Sequence, residues 1–214
     1  MTELVFILDR SGSMSGLEAD TIGGFNSMLR KQQKEDCGEA LVSTILFDDV
    51  SEVIHDRVPI EQVSMLTEKE YFIRGCTALL DAVGGAIHHI GNVHKYARAE
   101  DRPERTLFII TTDGMENASR RYTYEKVKRM IQRQEEQYGW EFLFMGANID
   151  ATAEASRIGI RMERAVRYHC DSEGTALNYD VMEQAVCAMR KGTGIRDNWK
   201  ERIERDFKSR RKRR

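Results

Sequence analysis

Two prolines in 214 residues leave few points where a helix or strand must break, and long apolar runs are missing as well. No window approaches the roughly 18 uninterrupted apolar residues that crossing a bilayer requires, so no membrane span is expected. The first apolar run, Leu4 to Leu8, is too short for a signal-peptide core and has neither a basic leader nor a cleavage site, which predicts a cytoplasmic protein. Cysteine is scarce. Cys37, Cys76, Cys170 and Cys187 are scattered and include no Cys-x-x-Cys pair, which argues against structural zinc and against a disulfide framework and favours reduced thiols.

Enzymatic signatures are also lacking. Gly12-Ser13-Met14-Ser15-Gly16 mimics a nucleophile elbow but carries Met14 where the serine should stand. Lys191-Gly192-Thr193 lacks the glycine-rich run that precedes a phosphate-binding lysine, and Asp9-x-Ser11 lacks the second aspartate of a phosphotransfer motif. His88, His89 and His94 share one helical segment at the wrong spacing for a zinc pair, and they read as surface or partly buried groups. Charge of one sign is not in excess overall: charged residues make up 32% yet cancel to -2. Residues 200–214, however, hold nine Lys/Arg against three Asp/Glu, so the body is acidic and its end basic.

What is present is a globular composition, 41% apolar, arranged as alternating strands and helices. Leu4–Leu8 and Thr106–Ile110 are continuous apolar runs, as expected for strands buried on both faces. Ala40–Phe47 and Val50–Val58 predict a hairpin turning at Asp48-Asp49 on a sheet edge. Apolar residues at helical spacing mark Thr21–Gln33, Ala78–His94 and Tyr124–Tyr138. A strand at Glu141–Met145, a short helix at Ala151–Arg157, a strand at Ala165–His169 and a helix at Thr175–Met189 complete the body. This alternation predicts an α/β fold: a doubly wound, mostly parallel sheet of about six strands with one antiparallel edge strand and helices on both faces. Residues 1–195 are expected to form the domain, and 196–214 a basic C-terminal helix or tail. Phe6, Phe47, Phe108, Phe142 and Phe144 read as core.

In such a sheet ligands bind beyond the carboxyl ends of the strands. Three segments fall there: Asp9-Arg10-Ser11-Gly12-Ser13, Arg74-Gly75-Cys76-Thr77 and Thr111-Thr112-Asp113-Gly114. Hard divalent cations take oxygen ligands, and Ser11, Ser13 and Thr77 offer three hydroxyls while Asp9 and Asp113 add negative charge directly or through water. Five oxygens with two formal charges would leave an ion electropositive and receptive to an outside carboxylate. Glu116, nearby, is expected to face solvent, and Cys76 to be a small packing residue.

The order Asp9-x-Ser11-x-Ser13, then Thr77, then Asp113, at intervals of 64 and 36 residues, resembles the metal-ion-dependent adhesion site of von Willebrand factor A domains. Ile22-Gly23-Gly24-Phe25-Asn26, Thr77 to Ala82, Asp113 to Ser119 and Met145-Gly146-Ala147-Asn148 are similar to stretches of the intracellular prokaryotic and phage members. The resemblance covers roughly residues 3 to 190. It implies a bound magnesium or manganese ion, with calcium ranking behind, and a protein partner that contributes an Asp or Glu; it implies no enzymatic activity. Two alternatives stand beside it: a metal-assisted hydrolase, and nucleic-acid association through Lys208 to Arg214.

Overall fold

The run Thr2–Asp9 is buried at every residue, and the rest of the molecule is laid around it. The computed structural model describes residues 1–147 and 149–211. Among these, six strands and six α-helices follow in the order β1 (Thr2–Asp9), α1 (Glu18–Lys34), β2 (Ala40–Phe47), β3 (Ser51–Pro59), α2 (Leu79–Tyr96), β4 (Arg105–Thr112), α3 (Tyr124–Tyr138), β5 (Glu141–Ala147), α4 (Ala151–Arg157), β6 (Ala165–Tyr168), α5 (Ser172–Arg190) and α6 (Glu201–Arg211). Asn148, part of one of the family-like stretches, lies outside the described residues.

The sheet order is β3-β2-β1-β4-β5-β6, parallel except for β3, which returns antiparallel along β2. The hairpin turns at the expected place, where Asp48 N–H donates to the Val50 carbonyl and Val50 N–H to Asp48 Oδ1. This pushes the start of β3 one residue beyond Val50.

Period-two alternation sorts the central strands into two cores. Leu4, Phe6 and Leu8 of β1, Leu107 and Ile109 of β4, and Leu143 and Met145 of β5 face one side, against Phe25, Met28 and Leu29 of α1 and Met182, Val186 and Met189 of α5. Val5, Ile7, Phe108, Ile110, Phe142 and Phe144 face the other, against α2, α3 and α4. Apolar residues therefore run unbroken along β1, β4 and β5 because both faces are covered. The five expected core phenylalanines are all buried.

Residues 195–210 are packed against the body. Ile195 and Ile203 join the first core, Phe207 stacks on His169 with ring centroids 4.4 Å apart, and Arg210 donates to Asp171 Oδ2 at 2.8 Å. Clustered charge does not keep this part of the basic run off the body, because Arg210 finds acidic partners where no apolar contact is on offer. Of the basic run, Lys208–Arg211 ends α6, and Lys212–Arg214 lie outside the described residues. No helix among the described residues is long and apolar enough to cross a membrane.

Ile203 is 1% exposed, and the other apolar residue of α6, Phe207, is only half-buried, so the Ile203 side chain anchors the helix. Ile203→Ala should lower the unfolding free energy by about 2–5 kcal/mol, read from the urea midpoint. A loss below about 0.5 kcal/mol would show that α6 contributes nothing to the folded domain.

Candidate functional site

β1 lies between β2 and β4, so the direction of strand order reverses at its carboxyl end, where open sheets of this kind place their ligand crevice. Asp9 is the last residue of β1 and is fully buried. Its Oδ1 accepts the Ser11 N–H at 2.7 Å, an Asx turn that bends the chain out of the sheet. Its Oδ2 accepts the Thr112 hydroxyl from the end of β4 at 2.5 Å, and its carbonyl accepts the Tyr71 hydroxyl at 2.6 Å.

Past this turn the hydroxyls line up. Thr77 Oγ1 donates to Ser11 Oγ at 2.9 Å, and Ser11 Oγ lies 3.1 Å from Ser13 Oγ. Ser11 and Thr77 are buried, whereas Ser13 is exposed, so the row of oxygens runs from the interior to the surface. Asp113 follows β4 immediately, with its carboxylate buried and Cys170 Sγ 3.5 Å from Oδ2. The next residue, Gly114, is wedged against the hydroxyls: a Cβ there would stand 2.7 Å from Thr77 Oγ1 and 2.8 Å from Ser13 Oγ. The structure thus brings Asp9, Ser11, Ser13 and Thr77 into one hydrogen-bonded row and sets Asp113 beside it.

The loops are laced to one another as well as to the sheet. Gly12 N–H donates to the Gly75 carbonyl and Arg74 N–H to the Arg10 carbonyl. Thr77 N–H donates to Asn117 Oδ1 at 2.9 Å, and Asn117 N–H returns a bond to the Thr77 carbonyl at 3.0 Å. Gly75 has φ +68, and a side chain there would collide with Asp49 Oδ1.

Three groups with no structural role expected from the sequence hold this arrangement. Arg10, the variable position of the Asp-x-Ser motif, is wholly buried: Nε donates to Asp48 Oδ2 at 2.8 Å, Nη1 to the Glu70 carbonyl at 2.9 Å and Nη2 to Glu52 Oε2 at 2.7 Å. Phe72 lies 5.2 Å from its guanidinium carbon and 5.3 Å from that of Arg74. Glu116 does not simply face solvent. Half-buried, it accepts from Leu80 N–H in the first turn of α2, from Ala118 and Ser119 N–H, and from the Ser119 hydroxyl. It therefore ties the loop after Asp113 to the helix after Thr77. Asp81 does the same for residues 120–122 by accepting three backbone N–H groups. The only sequence signal for Arg10 was a charged residue inside a buried-strand exit. Cys76 is exposed, contrary to its expected packing role. His88 and His89 are exposed and His94 is half-buried, as expected; His89 pairs with Asp56 at 2.8 Å and His94 with Glu3 at 3.2 Å.

The site's electrostatics point to a cation. Burial pushes the Asp9 carboxyl up to about 6, the Thr112 and Ser11 hydrogen bonds pull it back, and the Asp113 charge adds to the rise. A second acid beside a desolvated one is costly unless positive charge enters between them. The donor set of hydroxyls and carboxylates fits a hard divalent ion, and the lack of a side chain at Gly114 keeps a Cβ from crowding Thr77 Oγ1 and Ser13 Oγ.

Comparison with known proteins adds the class of fold. No protein-family model and no curated protein sequence matches the chain. Solved structures match with high probability, and they define a von Willebrand factor type A fold. A von Willebrand factor type A protein from Catenulispora acidiphila superposes with a TM-score of 0.59 at 15% identity over 87% of this chain and 42% of that one. Proximal thread matrix protein 1 from the mussel byssus, in a structure with its MIDAS motif occupied by zinc, gives 0.58 at 14% identity over 87% and 46%. The ArnB paralog VWA2 from Sulfolobus acidocaldarius gives 0.52 at 16% identity over 86% and 44%. At these identities the likeness is one of fold, and the chain spans less than half the length of each of these three proteins.

Two substitutions test the architecture. Asp48→Ala removes the buried carboxylate that Arg10 Nε and Arg74 Nε share and should cost about 3–5 kcal/mol of stability. The Asp9 carboxyl is raised in the folded protein, so its stabilising contribution is full below its unfolded value and is lost as pH rises through about 6. In chelator near neutral pH, Asp9→Asn should therefore be more stable than the parent, by at most about 3 kcal/mol, and the gain should vanish in acid. Equal urea midpoints for parent and variant at both pH values would show that burial does not strain this carboxylate.

Proposed function

We propose that this protein is a metal-dependent protein-binding module. Ser11, Ser13 and Thr77 would supply hydroxyl ligands to a magnesium or manganese ion, with Asp9 and Asp113 compensating its charge directly or through water. The ion would supply a Lewis-acidic position that accepts a carboxylate from a partner. The observation that carries this reading is the row Thr77–Ser11–Ser13, at 2.9 and 3.1 Å, backed by the buried Asp9 and leading to an exposed hydroxyl. Met115, next to Gly114, is 64% exposed, and Phe72, against the Arg74 guanidinium, is 41% exposed, apolar side chains that a partner would cover.

Binding fits these residues better than catalysis. A hydrolase needs a base poised over an ion-bound water, and the carboxylates beside the hydroxyls, Asp9 and Asp113, would instead be engaged in balancing the ion's charge. Glu116, the next acid along the chain, spends its oxygens on four hydrogen bonds to its own loop and to α2. Nucleic-acid binding through the basic run has less support, because Arg210 already pairs with Asp171 and Asp206. The occurrence of zinc at the MIDAS motif of the mussel protein supports divalent-cation binding in this fold, and the four cysteines agree with a cytoplasmic setting.

Millimolar magnesium or manganese should raise the melting temperature, since a ligand at ~100 times its Kd adds about 2.7 kcal/mol. Asp113→Ala should abolish that rise while preserving the circular dichroism of the fold. Partner capture should be lost in chelator and in Ser13→Ala, yet survive moderate salt, because a contact inside an ion's coordination shell is screened less than exposed pairs. Capture that persists in chelator and disappears with salt would overturn this reading in favour of the basic run.

A further inference from the structure

Cys37 and Cys187 are 150 residues apart, yet their sulfurs lie 3.1 Å from each other. Each sulfur also lies 3.3 Å from the same carboxylate oxygen, Glu35 Oε2. The triad sits where the end of α1 meets the last turns of α5, on the sheet face and edge remote from the hydroxyl row. Sequence spacing argued against structural zinc, but spacing along the chain says nothing about two helix ends packed side by side.

From this convergence we infer a second metal site, in which Glu35, Cys37 and Cys187 bind a zinc-class divalent cation. Among the described residues these are the His, Cys, Asp and Glu side chains whose ligand atoms gather closely enough, all within 4.8 Å of one another. Soft thiolates select zinc-like ions over magnesium, so the site differs in chemistry from the hydroxyl row. Tetrahedral coordination with metal–sulfur bonds near 2.3 Å sets two sulfurs about 3.8 Å apart. The pair at 3.1 Å needs to open by less than an ångström, and Cys187, half-buried on the helix surface, has room to do so.

The alternative product of two close thiols is a disulfide, which needs an oxidant and makes no use of the carboxylate that both sulfurs approach. A cation instead uses all three atoms. Binding replaces the two thiol protons, which pass to solvent, so two thiolates and a carboxylate face a doubly charged ion with one negative charge left over. Lys191 Nζ, 3.9 Å from Glu35 Oε2, supplies the balancing positive charge.

The scaffold holds the ligands in place before any ion arrives. Arg190 is buried and clamps the loop that carries Glu35 and Cys37: Nη2 donates to the Gly38 carbonyl at 2.7 Å and Nη1 to the Gln32 carbonyl at 2.6 Å. Gln32 in turn donates to Glu183 Oε1 of α5 at 2.9 Å. Fixing both helix ends from below is the preorganisation that a three-ligand site needs. The fourth position would open to a cleft of about 700 Å³ bordered by Cys187, Lys191, Ile195 and Trp199, where water can complete the shell.

The test uses the full chain, reduced and stripped of metal, titrated with cobalt(II) as a spectroscopic stand-in for zinc. One cobalt per chain should give a near-ultraviolet sulfur-to-cobalt charge-transfer band that zinc displaces and magnesium does not. Cys187→Ser should lose the band with its circular dichroism unchanged, and Glu35→Gln, at an exposed position, should weaken cobalt retention. Asp113→Ala should keep the band, which separates this site from the hydroxyl row whatever the fate of the proposal made for that row. Absence of the band in the parent chain, its survival in the Cys37→Ser/Cys187→Ser double variant, or formation of a Cys37–Cys187 disulfide by a chain that takes up no cobalt when reduced, would each overturn the inference.

Discussion

Where β1 leaves the sheet, two consecutive residues carry opposite charges and both are buried: Asp9 turns toward β4 and Arg10 toward the β2–β3 hairpin. An isolated buried charge costs several kcal/mol, so each must be answered by partners that converge from elsewhere in the chain. For Arg10 these are Asp48, Glu52 and the Glu70 carbonyl, reached across 38 to 60 residues. For Asp9 they are Thr112, the Ser11 N–H and, in the proposed function, an ion. The loop between them cannot shift without breaking one set or the other. That constraint fixes where Ser11 and Ser13 stand.

The remaining loops are placed by backbone accounting. Residues 74–78 run over the crevice with no secondary structure, so their polar groups must be paired by neighbours. Gly12, Arg10, Asp48 and Asn117 supply those partners from three other segments. Close approach is possible because Gly75 takes a left-handed conformation over Asp49 and Gly114 lies flat on two hydroxyls. Neither position tolerates a side chain. Rigidity at the mouth of the crevice suits a module whose affinity would depend on a few oxygens held at coordination distance.

A second theme is the joint between α1 and α5, elements far apart in sequence that meet on one face of the sheet. Arg190, Gln32 and Glu183 form a buried polar network there, and every member has partners. The same joint brings Glu35, Cys37 and Cys187 together. Residues 195–211 extend this face, with Ile203 in the core and Arg210 on the acidic start of α5.

The fold was legible in the sequence because it rests on local periodicity. Continuous apolar runs at Leu4–Leu8 and Thr106–Ile110 predict strands covered on both faces, Asp48-Asp49 predicts the turn, and the alternation of strand and helix predicts a parallel sheet. Asp9, Ser11, Ser13 and Asp113 could be proposed together from the sequence because β1 and β4 are parallel neighbours ending on one edge, whereas Thr77 follows no strand end and reaches the row from the loop before α2. Tertiary structure alone decided what lies at long range. Sequence spacing does not reveal that Arg10 points inward to Asp48, that Glu116 caps α2, or that Cys76 is exposed while Cys37 meets Cys187. Nor does composition distinguish a solvated basic tail from a helix that seats Ile203 and pairs Arg210. The physical reason is common to all of these: hydrophobic patterning is written in neighbouring residues, whereas the partners of a buried charge or a thiol are chosen only when distant segments are brought to the same few ångströms.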